Sequence, residues 1–228
     1  YHPGAWLALG DLGGADFWRN KARVRHVDFT TMPTVTGNTL IFAVLNSYET
    51  LDGPPGVICE EAARYTLRIL DDSYLLCCES VFTPVSEKIT FGDQEEMGFG
   101  VRLATPLTVK HGNGRLWNST GGENEAGTWG KTAAWCAGGG TIENRHVGVV
   151  VIPSPANFRP AWFHSRDYGL IVANPFGRKA MTGADDKTMP PDSTPVGKTF
   201  TLGFALGVFS VPVDPEGAVK RLFSAYTD

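Results

Sequence analysis

The stretch "WFHSRDY", residues 162–168, sets an imidazole and a guanidinium two positions apart between aromatic rings. In an extended chain successive side chains point to opposite faces. Trp162, His164, Arg166 and Tyr168 then share one face, and Phe163, Ser165 and Asp167 the other. A face bound for an apolar core does not hold Arg and His, and a plain solvent face rarely holds Trp and Tyr beside them. The combination suits a saccharide. The rings lie on the C–H face of a sugar, while His164 and Arg166 hydrogen-bond hydroxyls or a carboxylate. His164 is then a candidate general acid or base. The plainer alternative is a ladder of cation–π contacts that stabilises the sheet.

A second polar stretch, "FGDQEEMGFGVR" (91–102), places Asp93, Glu95 and Glu96 ahead of a short strand pattern that ends in Arg102. By the same alternation Phe99, Val101 and Leu103 face the core, and Gly98, Gly100, Arg102 and Ala104 face away from it. Small neighbours leave Arg102 open to a ligand. Glu95 and Glu96 are candidates to pair with Arg102 or Arg166, or to act as the carboxylate counterpart of His164. Asp93 reads more simply as a turn residue beside Gly92. A solvated turn is the alternative for each acid. His2, ahead of Pro3, is a further candidate catalytic group. Trp129, Lys131 and Trp135 lie in a Gly- and Asn-rich stretch and are expected to close over the site.

His26, His111 and His146 have no partner at ligand spacing. The chain contains no H-x-x-x-H or H-E-x-x-H pattern and no Cys/His cluster, so neither a metal site nor a cofactor is expected. A G-x-S-x-G elbow, a P-loop and a dinucleotide fingerprint are likewise missing from the sequence.

The elements that must position these residues are mostly strands. Residues 5–10, 22–29, 39–51, 63–70, 74–82, 99–105, 147–152, 161–173 and 198–213 are rich in Val, Ile, Phe, Tyr and Thr. Gly, Pro, Asn and Asp clusters separate them, the pattern of antiparallel hairpins. One helix is expected near the end, capped by Asp214 with Pro215 in its first turn. Residues 111–146 and 177–197 read as long loops, the first ordered by its tryptophans and the second lid-like.

A chain of 228 residues at a net charge of -4 fits one domain over residues 1–228. That length needs no staple to be stable. It has no basic run, which argues against nucleic acid. The cysteines, Cys59, Cys77, Cys78 and Cys136, follow no zinc or disulfide pattern, which favours the cytoplasm over the periplasm. No apolar run is long enough to cross a membrane, so no membrane partner is expected. Asn118-Ser119-Thr120 fits a glycosylation sequon. The chain opens at Tyr1-His2-Pro3 without Met or a signal pattern, leaving room for a trimmed segment upstream. No oligomeric state is implied.

"GDLGGADFW" (10–18), "FGDQEEMGFGVR" (91–102), "NSTGGENEAGTWGKTAAW" (118–135) and "PANFRPAWFHSRDYGLIVANPFG" (155–177) together resemble a family of bacterial proteins that carry the label methane oxygenase PmoA. The likeness runs from residue 1 to about 177, with a weaker match at the end. The methane mono-oxygenase subunit of that name is an integral membrane protein. Its activity does not transfer to a chain without a span or a copper-type ligand set. The resemblance instead implies carbohydrate catabolism, because family members occur beside sugar-processing and dehydrogenase genes. The family's histidine-rich "HPHH" opening is represented here only by His2-Pro3. The strand pattern is also similar to that of mutarotase-like proteins, whose concave sheets hold sugars.

These readings converge on an all-β fold, an antiparallel β-supersandwich or large β-sandwich with one short C-terminal helix. The expected site combines His164, Glu95, Glu96 and His2 as catalytic groups with Arg102, Arg166, Trp162, Tyr168, Trp129 and Lys131 as substrate contacts. The expected function is a carbohydrate-active enzyme that hydrolyses, eliminates from or isomerises a saccharide by general acid/base chemistry. A non-catalytic sugar-binding module is the alternative, and a metal-dependent oxygenase a third.

Overall fold

A computed structural model describes residues 3–51, 56–85, 87–184 and 194–228. In chain order the strands are β1 (Ala5–Leu9), β2 (Ala22–Thr36), β3 (Thr39–Thr50), β4 (Val57–Leu70), β5 (Ser73–Pro84) and β6 (Met97–Arg102). They continue as β7 (Arg115–Asn118), β8 (Cys136–Ile142), β9 (Arg145–Pro153), β10 (Trp162–Arg166), β11 (Leu170–Asn174) and β12 (Phe200–Val211). The helices are α1 (Asn124–Thr128), α2 (Arg178–Thr182) and α3 (Pro215–Thr227). A small sheet has the order β1-β6-β11-β10, and a large one the order β2-β3-β4-β5-β12-β9-β8-β7. The pairings are antiparallel in both. The fold is an all-β, two-sheet sandwich with a C-terminal helix, as the alternation and turn composition lead one to expect.

Strand alternation sorts the faces. Phe99 and Val101 of β6, Phe163 of β10 and Ile171 and Ala173 of β11 point inward, against Phe82, Leu202, Phe204 and Leu206 of the large sheet. Phe99 and Phe204 stack with ring centroids 5.6 Å apart. Each such side chain contributes about 1.5–3 kcal/mol by leaving water. The opposite face of β12, through Ala205, Phe209 and Val211, is covered by Ala218, Val219 and Leu222 of α3. That helix starts as its sequence dictates. The Asp214 carboxylate accepts the Gly217 N–H at 2.9 Å, and Pro215 occupies the first turn.

Several expectations are corrected. The apolar run 161–173 is a hairpin rather than one strand. Gly169, at φ +95°, supplies the left-handed conformation that a turn between β10 and β11 needs. Tyr168 therefore sits on that turn. The stretch 111–146 is not a loop but carries β7, α1 and β8. The glycine run 138–140 in β8 hides strand character because close neighbours leave no room for side chains. A Cβ on Gly138 would stand 2.8 Å from Leu103 and Leu116 atoms. The stretch 177–197 opens with α2, and its residues 185–193 lie outside the described residues. Trp135 joins Trp117 in the apolar cluster beneath α3 and does not close over the site. Asn118 is buried, its side-chain oxygen accepting the Thr120 and Gly122 N–H groups, so the sequon is not presented at the surface. Cys59, Cys77, Cys78 and Cys136 are free thiols. Among the described residues no helix is long and apolar enough to cross a membrane.

Candidate functional site

The small sheet has one face in the core, and its other face carries the polar residues. Register places Arg102, Leu170 and Arg166 in one row across β6, β11 and β10. Gly100, Val172 and His164 form the next row, with Trp6 of β1 opposite Gly100. Residues directly opposite in a sheet share a face, so the predicted alignment of His164, Arg166 and Arg102 on one face holds.

The chain reaches this face through Gly98. Its φ of +96° turns the strand, and a Cβ there would stand 2.1 Å from the Ala173 carbonyl oxygen. Residues 94–95, just before β6, are held on β11. The Asn174 amide donates to the Gln94 and Glu95 carbonyls at 2.7 and 3.1 Å, and its oxygen accepts the Phe176 and Gly177 N–H groups. Asn174 is fully buried and is not among the residues expected from sequence, although a lone Asn ending the strand run before a Pro marks a strand terminus.

The acids of 91–102 then separate by task. Asp93 accepts the Lys179 and Ala180 N–H groups at 2.9 and 2.8 Å and so caps the first turn of α2. Glu96 pairs with Arg19 at 2.9 Å and makes no direct contact with His164, although its charge is still felt there. Glu95 is the acid that arrives. Its carbonyl lies 3.1 Å from His164 Nδ1, and its carboxylate lies 3.6 Å from Nε2 and 3.3 Å from Arg166.

Arg166 is the hub. Its Nε donates to His164 Nε2 at 3.2 Å, and its fork reaches Glu95 and, at 2.8 Å, Glu125. Glu125 comes from α1 and is not among the residues expected from sequence. It accepts the Asp167 N–H at 3.1 Å while Asp167 accepts the Glu125 N–H at 2.8 Å, a reciprocal lock between helix and turn. The signal available for it is its place four residues before Trp129, where an acid and a ring share one side of a helical turn. A buried 2.6 Å hydrogen bond between Thr128 and Ser165 hydroxyls holds α1 to β10.

The protonation pattern is set by these bonds. Since Arg166 Nε must donate, His164 Nε2 is a bare acceptor and Nδ1 carries the hydrogen given to Glu95. Burial lowers the His164 pKa below 6.5. The Glu95 carbonyl and carboxylate oppose that shift, and Arg166 adds to it. Partial burial works to raise the Glu125 carboxyl, but Arg166 and the Asp167 amide outweigh it and hold the group below 4.5. The site thus contains a neutral imidazole beside ionised Glu125.

Residues 130–132 run along the outer edge of β10. Gly130 N–H donates to Phe163 and Phe163 N–H to Lys131, at 2.8 and 2.9 Å. This places Trp129 with its ring 5.2 Å from the Arg166 guanidinium. Trp129, Lys131, Arg166, Glu125 and Met181 line a cleft of about 450 Å³. Trp162 lies on the same strand but toward another pair of cations, Arg159 and Arg178, at 5.1 and 5.8 Å. Tyr168 reaches across from the turn to stack under Arg102, whose guanidinium lies 4.7 Å from the ring centroid. His2 lies outside the described residues.

A larger cleft of about 700 Å³ lies between residues 153–161 and the end of α3. Its polar groups are spent on the fold. Asn157 exchanges hydrogen bonds with Gly203, and Arg159 donates to the Pro175 and Phe176 carbonyls. It offers little chemistry, so the smaller polar cleft is the candidate site. Among the described residues no group of three His, Cys, Asp or Glu side chains is arranged to hold a metal ion.

A family of unknown function, DUF6807, matches residues 1–222. The chain belongs to this family. The DUF6807 match covers both sheets and every described site residue, so the arrangement around His164 falls within the part of the chain that the family shares. No curated protein matches the chain.

Proposed function

We propose that this protein acts on a saccharide by proton transfer, with His164 as general base, buried directly behind Arg166, which lines the cleft beside residues 125–131. The observation that carries this reading is the fixed tautomer of His164. Its Nδ1–H is committed to the Glu95 carbonyl, which leaves Nε2 as the basic atom, 3.6 Å from the Glu95 carboxylate. A neutral imidazole held below its ordinary pKa is available as a base at neutral pH.

The neighbouring groups support proton abstraction, as in elimination or isomerisation, above hydrolysis. Glycoside hydrolysis needs a carboxylic acid with a raised pKa to protonate the leaving oxygen. Glu125 is instead held ionised by Arg166. In the proposed step a substrate C–H or O–H takes the place of the Arg166 Nε–H at His164 Nε2. Arg166 keeps its carboxylates and steadies the negative charge that develops on the substrate oxygen. The Trp129 ring beside Arg166 gives a sugar face a surface to lie on, and the resemblance of the motifs to bacterial proteins of carbohydrate catabolism points the same way.

The second reading, a sugar-binding module without turnover, draws on the closure of the ion cluster. His164, Arg166, Glu95 and Glu125 satisfy one another, as a purely structural network would. Incubating the purified protein and His164→Gln with neutral and acidic mono- and disaccharides, and monitoring products by NMR, separates the two. Turnover by the native protein that His164→Gln abolishes supports the enzyme. Binding retained by both proteins without product supports the module.

A further inference from the structure

Arg166 and Arg102 occupy one row of the same sheet face, with Leu170 between them. Two strand spacings of about 4.8 Å put their backbones about 10 Å apart. Their charges are treated very differently. Arg166 is met by Glu95 and Glu125, so its cluster carries one more negative than positive charge when both acids are ionised. Arg102 faces no carboxylate among the described residues. Its guanidinium lies over the Tyr168 ring at 4.7 Å, and its Nε, shut off from solvent, has no hydrogen-bond partner.

We infer that Arg102, seated on Tyr168, is an anion-reading subsite, and that the saccharide bound at this site carries a carboxylate. This rests on the reading of the site as a saccharide site. Stacking occupies the flat face of a guanidinium and leaves its in-plane N–H donors free, the geometry that grips a carboxylate by two parallel hydrogen bonds. A half-buried cation without a counter-charge is costly, and an anionic ligand offsets that cost.

The charge arrangement also sets orientation. A carboxylate is repelled from the end where Glu95 and Glu125 outnumber Arg166, and drawn to the end where Arg102 stands alone.

The test is calorimetric titration of the native protein with glucose, galactose and mannose and with the matching uronates, repeated on Arg102→Met and Arg102→Lys. Met keeps an apolar stem over Tyr168 and removes the charge. Lys keeps the charge without the planar fork. The native protein should bind a uronate at least about tenfold tighter than its neutral partner, as a charge-assisted pair implies. Arg102→Met should bring the two within about twofold, and Arg102→Lys should fall between. A native protein without preference for the uronate, or an Arg102→Met variant that keeps it, overturns this inference and leaves the saccharide reading standing. Failure of the native protein to bind either class of sugar overturns both.

Discussion

The Glu95 carbonyl accepts the Nδ1–H of His164 at 3.1 Å, while the Glu95 carboxylate stands 3.6 Å from the other ring nitrogen. One residue thus selects the tautomer through its backbone and sets the local charge through its side chain. Backbone selection is robust, because the position of 94–95 is held by buried Asn174 rather than by a solvent-exposed side chain.

His164 gives the protein a pH signature. The unfolded chain takes up a proton near 6.5, whereas the folded chain resists until a lower pH. Between those values the unfolded state holds more protons, so stability rises with pH across that interval and is lost as pH falls through it. Denaturant unfolding from pH 7.5 to 5 should show this slope in the native protein and a flatter profile in His164→Gln. Any catalytic rate should fall on the acid side of 6.5, as the base becomes protonated.

Glu125→Gln should leave the sandwich folded but loosen Arg166. The cost in stability should be about 1 kcal/mol, the scale of a partly exposed ion pair. Because the Glu125 carboxyl is held below 4.5, that contribution is present above 4.5 and is lost as pH falls below it. Turnover or sugar binding should fall more than stability does, which parallel urea titrations and activity assays will reveal.

Gly98→Ala should be among the most damaging changes of a single methyl. The φ of +96° is strained for Ala, and the new Cβ would meet the Ala173 carbonyl. A loss of at least about 2 kcal/mol is expected from strain alone. Urea unfolding will measure it, and a shifted His164 ring resonance in NMR will show Glu95 leaving its place.

Trp129→Ala should weaken sugar binding about threefold to tenfold, the range of one ring contact. Thermal unfolding should move little, because Trp129 is not part of either buried apolar cluster.

Asp93→Ala removes the acceptor of two N–H groups at the start of α2. A loss of about 1 kcal/mol is expected. Hydrogen exchange should rise at Lys179 and Ala180, with the cleft wall at Met181 loosening alongside.

By itself the sequence determined those features that local sterics dictate. Alternation along a strand is a property of the backbone, so Trp162, His164 and Arg166 were bound to share a face, as were Gly100 and Arg102, before any partner strand was known. The Asp214-Pro215 start of α3 was legible for the same reason, since a cap bonds a group three residues away. The hairpin at 167–169 was written in Gly169, though the apolar run around it concealed the break.

The tertiary structure decided which charges meet. Glu125 lies 41 positions from Arg166, and Glu95 lies 69 from His164. No local rule distinguishes Glu95 from Glu96, adjacent acids that end on His164 and on Arg19 respectively. Strand order, the bend at Gly98 and the docking of α1 on β10 bring such groups within hydrogen-bond range. Hydrogen bonds and ion pairs act over a few ångströms of space, without regard to distance along the chain. The residues able to do chemistry were therefore visible in the sequence, and their pairing was set only by the fold.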